Sequence, residues 1–262
     1  MKTIAEYDQE IQQNPNNAKL YNDRGYAYAS QAEDNKAIAD FTKAIQIDPN
    51  FMWPYYNRGI AYYNTYDFDR AIEDFNKAIQ LDPNDAETYF SRGLVFSTAK
   101  GDMERAISDF GQAIKINPNH TMAYYKRGLV YYFLQNNDSA IADYNQVIRL
   151  DPNNETIYVD RGNAFHGKGD KDKAIADYNH ALQINPNNAL AYLQRGFAIQ
   201  RKGDFNISNI EQAITDCETA LRLGLNEAFS EIAKKFVESN RQKLIAGKEY
   251  LEGLEKLRNS LF

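Results

Sequence analysis

The fold is decided by residues 52–85, MWPYYNRGIAYYNTYDFDRAIEDFNKAIQLDPND, because close variants of this stretch recur along most of the chain. The proline near its end belongs to a series spaced by 34 or 35 residues: Pro15, Pro49, Pro83, Pro118, Pro152 and Pro186. Arginine–glycine pairs recur in step with these prolines: Arg24-Gly25, Arg58-Gly59, Arg92-Gly93, Arg127-Gly128, Arg161-Gly162 and Arg195-Gly196. Self-similarity at such a period indicates a repeat protein, here with six copies.

Each copy is predicted to form two short helices. Two stripes of apolar or small residues mark the helices of the second copy: Tyr55, Gly59 and Tyr62 in its first half, then Ala71, Phe75 and Ala78. Both stripes have the i, i+4, i+7 spacing of one helical face. Pro83 ends the second helix because proline disfavours helical backbone in the residue before it. A hairpin of this size cannot bury its apolar face alone, so the copies must stack.

This pattern strongly resembles the tetratricopeptide repeat (TPR). The TPR motif has an aromatic, a small residue, an aromatic, Ala, an aromatic, Ala and Pro at the positions of Tyr55, Gly59, Tyr62, Ala71, Phe75, Ala78 and Pro83. The resemblance implies an all-α fold, a right-handed superhelical solenoid of antiparallel helix pairs with C-terminal capping helices. It covers residues 18–226, divided into copies at about 18–51, 52–85, 86–120, 121–154, 155–188 and 189–226. Departures are the arginine before each glycine, Val147, Cys217 and extra residues after Gly203.

The two ends of the chain do not repeat. Residues 1–17 fit the second helix of an incomplete repeat, which is either a cap or part of a longer protein. Residues 227–262 are predicted to form a first-helix-like segment, Phe229 to Phe236, and a separate final helix from about Arg241 to Asn259. Five leucines mark that helix: Leu244, Leu251, Leu254, Leu257 and Leu261. We expect them to cover the preceding segment as a cap, and dimerisation is the alternative.

Composition excludes several classes of function. With 30 Lys and Arg against 36 Asp and Glu, the net charge is −6, so no nucleic-acid partner is predicted. The single cysteine, Cys217, lies on a core stripe, and the three histidines lack a second ligand at i+3 or i+4, so neither a metal nor a cofactor is predicted. No nucleophile elbow or phosphate loop occurs, which predicts a protein that is not an enzyme. Without a signal peptide or long apolar run, we expect a cytoplasmic protein without membrane insertion.

Each copy also holds an aspartate three residues after its second-helix alanine: Asp40, Asp74, Asp109, Asp143, Asp177 and Asp216. These aspartates and the recurrent arginines lie at the margins of their buried stripes. A contact within each hairpin is therefore predicted, for example Arg58 with Asp74 and Arg127 with Asp143. We interpret the series as a ladder of partly buried ion pairs, and anion binding is the alternative.

The candidate binding surface is the face of the first helices opposite the buried stripe. A merely solvated face would be polar, but this one is apolar and aromatic in the middle copies. Its residues, here called the candidate groove, are Trp53, Tyr56, Asn57, Ile60, Tyr63, Asn64, Phe90, Leu94, Met122, Tyr125, Lys126, Leu129, Tyr132, Phe133 and Asn163. The first copy is more polar there, with Lys19, Asn22 and Asp23. The resemblance implies a concave, peptide-binding groove; alternatively, some rings pack between adjacent first helices.

The sequence thus predicts a non-enzymatic scaffold or adaptor that binds a partner peptide or protein segment with hydrophobic anchors. The alternative is a self-assembling structural scaffold that oligomerises through its terminal helices. Chaperone C-terminal tails are disfavoured as partners. TPR proteins that bind them use Lys and Asn on one first helix, Asn on the next, and Lys and Arg on the third. Asn57 fits the middle position, but the other positions hold Asn22, Tyr26, Glu87 and Ser91.

Overall fold

The computed structural model describes residues 2–200 and 206–260, with side chains up to residue 256. Across these residues the regular structure is helical, with fourteen α-helices and no strand. The predicted all-α fold class is confirmed. The chain divides into two compact units, Met1–Val130 and Tyr131–Phe262.

The first unit is built from helices, and from α1 to α7 each helix packs against the next along the chain. They are α1 (Ile4–Gln13), α2 (Ala18–Ala29), α3 (Asp34–Ile47), α4 (Met52–Asn64), α5 (Phe68–Leu81), α6 (Ala86–Val95), α7 (Met103–Ile116) and the larger part of α8 (Thr121–Phe133). One π-helical turn, Phe96–Lys100, continues α6. Contacts between sequence neighbours are what a stack of helical hairpins requires.

The second unit follows the same plan. After the end of α8 it contains α9 (Asn137–Leu150), α10 (Glu155–Gly167), α11 (Lys171–Ile184), α12 (Ala189–Ile199), α13 (Ile207–Leu223) and α14 (Glu227–Ser260). Each of the helices from α9 to α14 packs against the next.

Asparagine and aspartate residues set the helix starts. In α5 the side chain of Asp67 accepts a hydrogen bond from the backbone N–H of Arg70, and in α6 Asp85 accepts one from Thr88. Asn154 and Asn188 cap α10 and α12 in the same way. Such caps satisfy backbone donors that the first helical turn leaves unpaired. The Asp or Asn two residues after Pro83, Pro152 and Pro186 is therefore explained by helix capping.

The close crossing of the two helices in each hairpin depends on glycine. Phe75 and Ala71 are fully buried on α5. A Cβ added at Gly59 would lie only 2.8 Å from Cε1 of Phe75. The small residue is therefore required where the aromatic ring of the second helix meets the first helix, as the repeat pattern predicts.

In five of the hairpins, the turn between the two helices contains a residue in the left-handed backbone conformation. Ala32, Tyr66 and Gln135 have φ values of 58°, 64° and 60°, and Gly101 and Gly169 occupy the corresponding turns of other copies. Only glycine adopts this conformation without a steric cost. The non-glycine residues therefore place a small strain in these turns.

The C-terminal prediction of two helices is wrong. α14 is one continuous helix from Glu227 to Ser260, so its leucines cannot fold back over the segment Phe229–Phe236. Ala233 and Val237 are instead buried against α13, in a cluster that Leu244 joins. The intervening residues include neither proline nor glycine, so nothing breaks the helix. The side chain of Leu257, residue Leu261 and residues 201–205, which include the start of the extra stretch after Gly203, lie outside the described residues.

Candidate functional site

The recurrent arginines form the predicted ion pairs. Five of them bind the aspartate of their own hairpin through two hydrogen bonds of 2.6–2.8 Å: Arg24 with Asp40, Arg58 with Asp74, Arg92 with Asp109, Arg161 with Asp177 and Arg195 with Asp216. The contact of Arg127 with Asp143 stays a prediction. Bidentate arginine–carboxylate pairs are both strong and geometrically specific.

The third nitrogen of each of these arginines bonds to the helix that precedes its own hairpin. Nη1 donates to a side chain sixteen residues earlier: Arg24 to Asp8, Arg58 to Thr42, Arg92 to Asn76, Arg161 to Asn145 and Arg195 to Asn179. Each of these guanidinium groups therefore donates three hydrogen bonds within the protein, two to the aspartate of its own hairpin and one to the preceding helix. This arrangement supports the ion-pair interpretation over anion binding.

Burial opposes ionisation of Asp74, the aspartate of the second copy. Burial raises the pKa of Asp74, and the hydrogen bonds from Arg58 act against that rise. Taking a carboxylate out of water is costly unless its partner stays in place. Loss of Arg58 alone would therefore leave a buried carboxylate without its partner.

Trp53 begins the candidate groove on α4. Its side chain is 46% exposed. The Trp53 ring meets the ring of Tyr56 edge-on, with 6.0 Å between centroids, and Tyr56 in turn lies 6.0 Å from Phe75 in the core. Trp53 is thus an exposed ring that packs against the half-buried ring of Tyr56.

Two tyrosines of the candidate groove contact the next first helix. The Tyr56 hydroxyl lies 3.5 Å from Oγ of Ser91, and the Tyr63 hydroxyl lies 3.4 Å from Oγ1 of Thr98. Burial raises the pKa of Tyr56. Ile60 is half-buried beside Val95 in the same core cluster. For these three side chains, packing between adjacent copies accounts for much of the apolar surface.

The asparagines of the candidate groove are also engaged. Asn57 Nδ2 donates to Asn22 Oδ1 at 3.0 Å, which links the first helices of the first two copies. Asn64 Nδ2 donates to Asp34 Oδ1 at 3.3 Å. Both side chains hold neighbouring elements together in addition to facing the surface.

In the third copy the candidate groove is half-buried. Phe90 packs 4.8 Å from the ring of His120 and 5.8 Å from that of Phe110. Leu94 lies against the same cluster, which includes Phe96. These residues form the floor of the surface rather than projecting from it.

Helix α8 contributes residues to both units. Met122 is exposed, Leu129 is half-buried, and Nζ of Lys126 lies 5.7 Å from the ring centroid of Tyr125, all within the first unit. The remaining three candidates belong to the second unit: Tyr132, Phe133 and Asn163.

In the second unit, Tyr132 is half-buried, and that burial raises its pKa. Phe133 is exposed. The hydroxyl of Tyr178 donates to Asn163 Oδ1 at 2.9 Å, so Asn163 has a structural partner.

A cavity of about 380 Å³ lies beside Trp53 in the first unit and is here called the Trp53 cavity. Its lining residues are Tyr7, Asn22, Asp23, Tyr26, Trp53, Tyr56 and Asn57. Three of these were predicted for the candidate groove, whereas Tyr7 and Tyr26 were missed. Tyr26 follows Gly25 as Ile60 follows Gly59, and this equivalence is a sequence signal that could have found it.

Comparison with protein families identifies the repeat. A family profile described as TPR repeat matches residues 25–65, 97–135, 133–169 and 162–203, and one described as Tetratricopeptide repeat matches residues 53–85. Together these matches cover more than half of the chain. The chain belongs to the tetratricopeptide repeat family. TPR proteins are protein-interaction scaffolds.

Solved TPR structures share the fold. YrrB, described as a TPR protein with an unusual peptide-binding site, is 23% identical with a TM-score of 0.62, covering 71% of this chain and 95% of its own. MamA is 30% identical with a TM-score of 0.59, and the match covers 63% of this chain and 96% of the MamA chain. PilF of Pseudomonas aeruginosa is 17% identical with a TM-score of 0.66, covering 83% and 96%. No curated protein sequence matches this TPR chain.

Outside the candidate groove, the thiol of Cys217 lies in the core of this TPR chain. Burial raises the pKa of the Cys217 thiol to about 12, which keeps it protonated within its core cluster. Among the described residues, no three His, Cys, Asp or Glu side chains are grouped closely enough to hold a metal ion. Within these same residues, no helix combines the length and apolarity needed to cross a membrane.

Proposed function

We propose that this TPR protein is a non-enzymatic adaptor that binds a short partner segment on the candidate groove of its first unit. The observation that carries the proposal is Trp53, a large ring left about half exposed at the edge of a cavity of about 380 Å³. Tryptophan is among the residues that most often dominate interface energies. The stability of the fold gives no reason for this ring to be exposed, whereas binding of a partner does.

The candidate groove combines a fixed floor with exposed anchors. Tyr56 and Phe90 are supported by core rings, while Trp53 and Met122 are exposed. A supported floor lowers the conformational entropy lost when a ligand binds. An extended or helical segment with two or three hydrophobic side chains fits this surface. YrrB, a similar fold with a peptide-binding site, supports the same mode of action.

The test is peptide selection against the purified protein, with a displayed random library as the source of ligands. The affinity of the selected peptides is then measured by calorimetry for Trp53→Ala and Met122→Ala. Tyr66→Ala is the matched control, because Tyr66 is an 81% exposed aromatic residue outside the candidate groove. Thermal melting checks that each variant is folded.

We expect Trp53→Ala to weaken binding by about 2 kcal/mol, the scale of interface hot spots, while Tyr66→Ala binds normally. Met122→Ala should weaken binding by a smaller amount, since the methionine side chain is smaller than that of tryptophan and has no aromatic ring. If the selected peptides bind Trp53→Ala as tightly as the unmodified protein, the proposed function is wrong.

Self-assembly is the second candidate function, and α14 provides the observation that favours it. Tyr250 is 67% exposed on this helix, and Leu251 and Leu254 are exposed beside it. An apolar cavity of about 390 Å³ lies there, lined by Ile207, Ala246, Gly247, Tyr250 and Leu251. Exposed apolar patches of this kind mark interaction surfaces.

Light scattering over a range of protein concentrations tests self-assembly. If α14 joins two copies, the mass should rise with concentration, and Leu251→Glu with Leu254→Glu should restore a monomer. A monomer at all concentrations contradicts self-assembly and leaves the adaptor proposal intact.

A further inference from the structure

We propose that the Trp53 cavity binds the cationic side chain of a lysine or arginine in the partner segment. This inference rests on the proposed function and specifies the chemistry of the ligand at one end of the candidate groove. The evidence is the combination of open aromatic rings with an acidic side chain in one cavity.

The rings are placed to meet a ligand cation. Tyr26 on α2 is 51% exposed and Trp53 on α4 is 46% exposed, and both line the cavity together with Tyr56 and Tyr7. The faces of aromatic rings carry partial negative charge, and tryptophan attracts cations most strongly. An apolar ligand side chain would gain only from its contact area with these rings. A cation would also be attracted by the partial negative charge of the ring faces.

Asp23 supplies the carboxylate of the cavity. Its Oδ2 accepts a hydrogen bond of 2.6 Å from Nζ of Lys19, whose side chain is largely exposed. An ion pair of this kind, between exposed side chains four residues apart on a helix surface, contributes little to stability. Lys19 therefore shows that Asp23 binds an ammonium group, and a ligand can displace it at small cost.

Two further carboxylates influence Tyr56, which lines the cavity. Burial raises the pKa of Tyr56, and the negative charges of Glu87 and Asp85 add to that rise. Glu87 is exposed, and its carboxylate lies 3.4 Å from Nε2 of His120. Lys2 lies over the ring of Tyr7 at 6.0 Å, but it is paired with Glu10. The net charge of the whole chain, −6, favours approach of a cation as well.

The Trp53 cavity is large enough to admit a lysine or arginine side chain. Ligand sites for small molecules span roughly 300–1,000 Å³, and the Trp53 cavity of about 380 Å³ lies at the lower end. Cation recognition here thus complements hydrophobic anchors bound by the remaining residues of the candidate groove.

The chain has one tryptophan, so its fluorescence reports on this cavity directly. The probes are three tripeptides, acetyl-Leu-Lys-Leu-amide, acetyl-Leu-norleucine-Leu-amide and acetyl-Leu-Glu-Leu-amide, titrated at low salt. The first two differ in the ammonium group at nearly equal length. We expect the lysine peptide to bind at least tenfold more tightly than the norleucine peptide, and the glutamate peptide to bind most weakly.

Two variants test the carboxylate in opposite directions. Asp23→Asn should reduce the preference for the lysine peptide several-fold, and Lys19→Met, which removes the competing cation, should strengthen its binding. Asp69→Asn is the matched control, because it removes an exposed carboxylate that is paired with Lys100 and does not line the cavity. It should leave the preference unchanged.

The outcomes separate this inference from the proposed function. Equal binding of the lysine and norleucine peptides, or an unchanged preference in Asp23→Asn, overturns the cation site. Neither result contradicts the proposed binding of a peptide on the candidate groove. A Trp53 signal that no tripeptide changes also overturns it, and the proposed function is then decided by the library-selected peptides.

Discussion

Arg58 binds the carboxylate of Asp74 with two hydrogen bonds of 2.8 Å, from Nε to Oδ2 and from Nη2 to Oδ1. Its Nη1 donates to Oγ1 of Thr42 on the preceding second helix at 2.9 Å. One side chain thus connects the two helices of its own hairpin and joins that hairpin to the preceding copy. Because the same bonds recur in other copies, they define both the crossing within a hairpin and the register of stacking.

Removing Arg58 alone should be costly. Arg58→Met leaves the buried Asp74 carboxylate without its partner, which should lower the free energy of unfolding by about 1–3 kcal/mol. The double variant Arg58→Met with Asp74→Leu should recover most of this loss, because no buried charge remains. Urea denaturation of both variants measures the difference. A single variant as stable as the unmodified protein would show that solvent replaces the pair.

Replacing Ala32 with glycine should stabilise the first hairpin. Ala32 has a φ of 58°, a conformation that costs an L-residue roughly 1–2 kcal/mol, part of which the flexibility of glycine in the unfolded chain offsets. We expect a gain of about 0.5–1 kcal/mol in thermal or urea unfolding. Ala39→Gly is the matched control: Ala39 lies exposed within α3, so this change should destabilise by about 1 kcal/mol. Losses in both variants would contradict the strain argument.

Gly111 can be replaced with benefit. It lies inside α7, where glycine costs about 0.5–1 kcal/mol relative to alanine, and a Cβ there would meet only Nη1 of Arg127 at an ordinary 3.5 Å. The equivalent residue in three other copies is an asparagine that accepts from the next arginine: Asn76, Asn145 and Asn179. Gly111→Asn should therefore raise the melting temperature. Gly59→Ala should lower it, because its Cβ clashes with Phe75.

His166 should make stability depend on pH in the second unit. Burial and then the charge of Lys171 lower its pKa below the usual 6.5. The unfolded chain therefore binds the proton more readily, so this contribution to stability is fully present above pH 6.5 and is lost as pH falls through the lowered pKa. His166→Gln should reduce the loss of melting temperature between pH 7 and pH 5. Lys171→Met should reduce it less, and an unchanged profile in His166→Gln would contradict the prediction.

The repeating pattern in the sequence determined the helices and their hairpins. Tyr55 and Gly59 lie on one stripe because an α-helix has 3.6 residues per turn, which is a local property. The pairing of Arg58 with Asp74 was also accessible, since both positions recur at the margins of stripes that must face each other. Sixfold repetition made each of these inferences stronger than one copy would allow.

Tertiary structure alone decided how exposed each side chain of the candidate groove is. Periodicity assigns Trp53 and Tyr56 to the same face, but the distance to the next first helix determines that Tyr56 is half-buried near Ser91 while Trp53 remains open. The Trp53 cavity unites side chains from α1, α2 and α4, so no single stretch of sequence contains it. Helical position follows from local backbone geometry, whereas burial follows from packing between helices, and only the folded chain determines that packing.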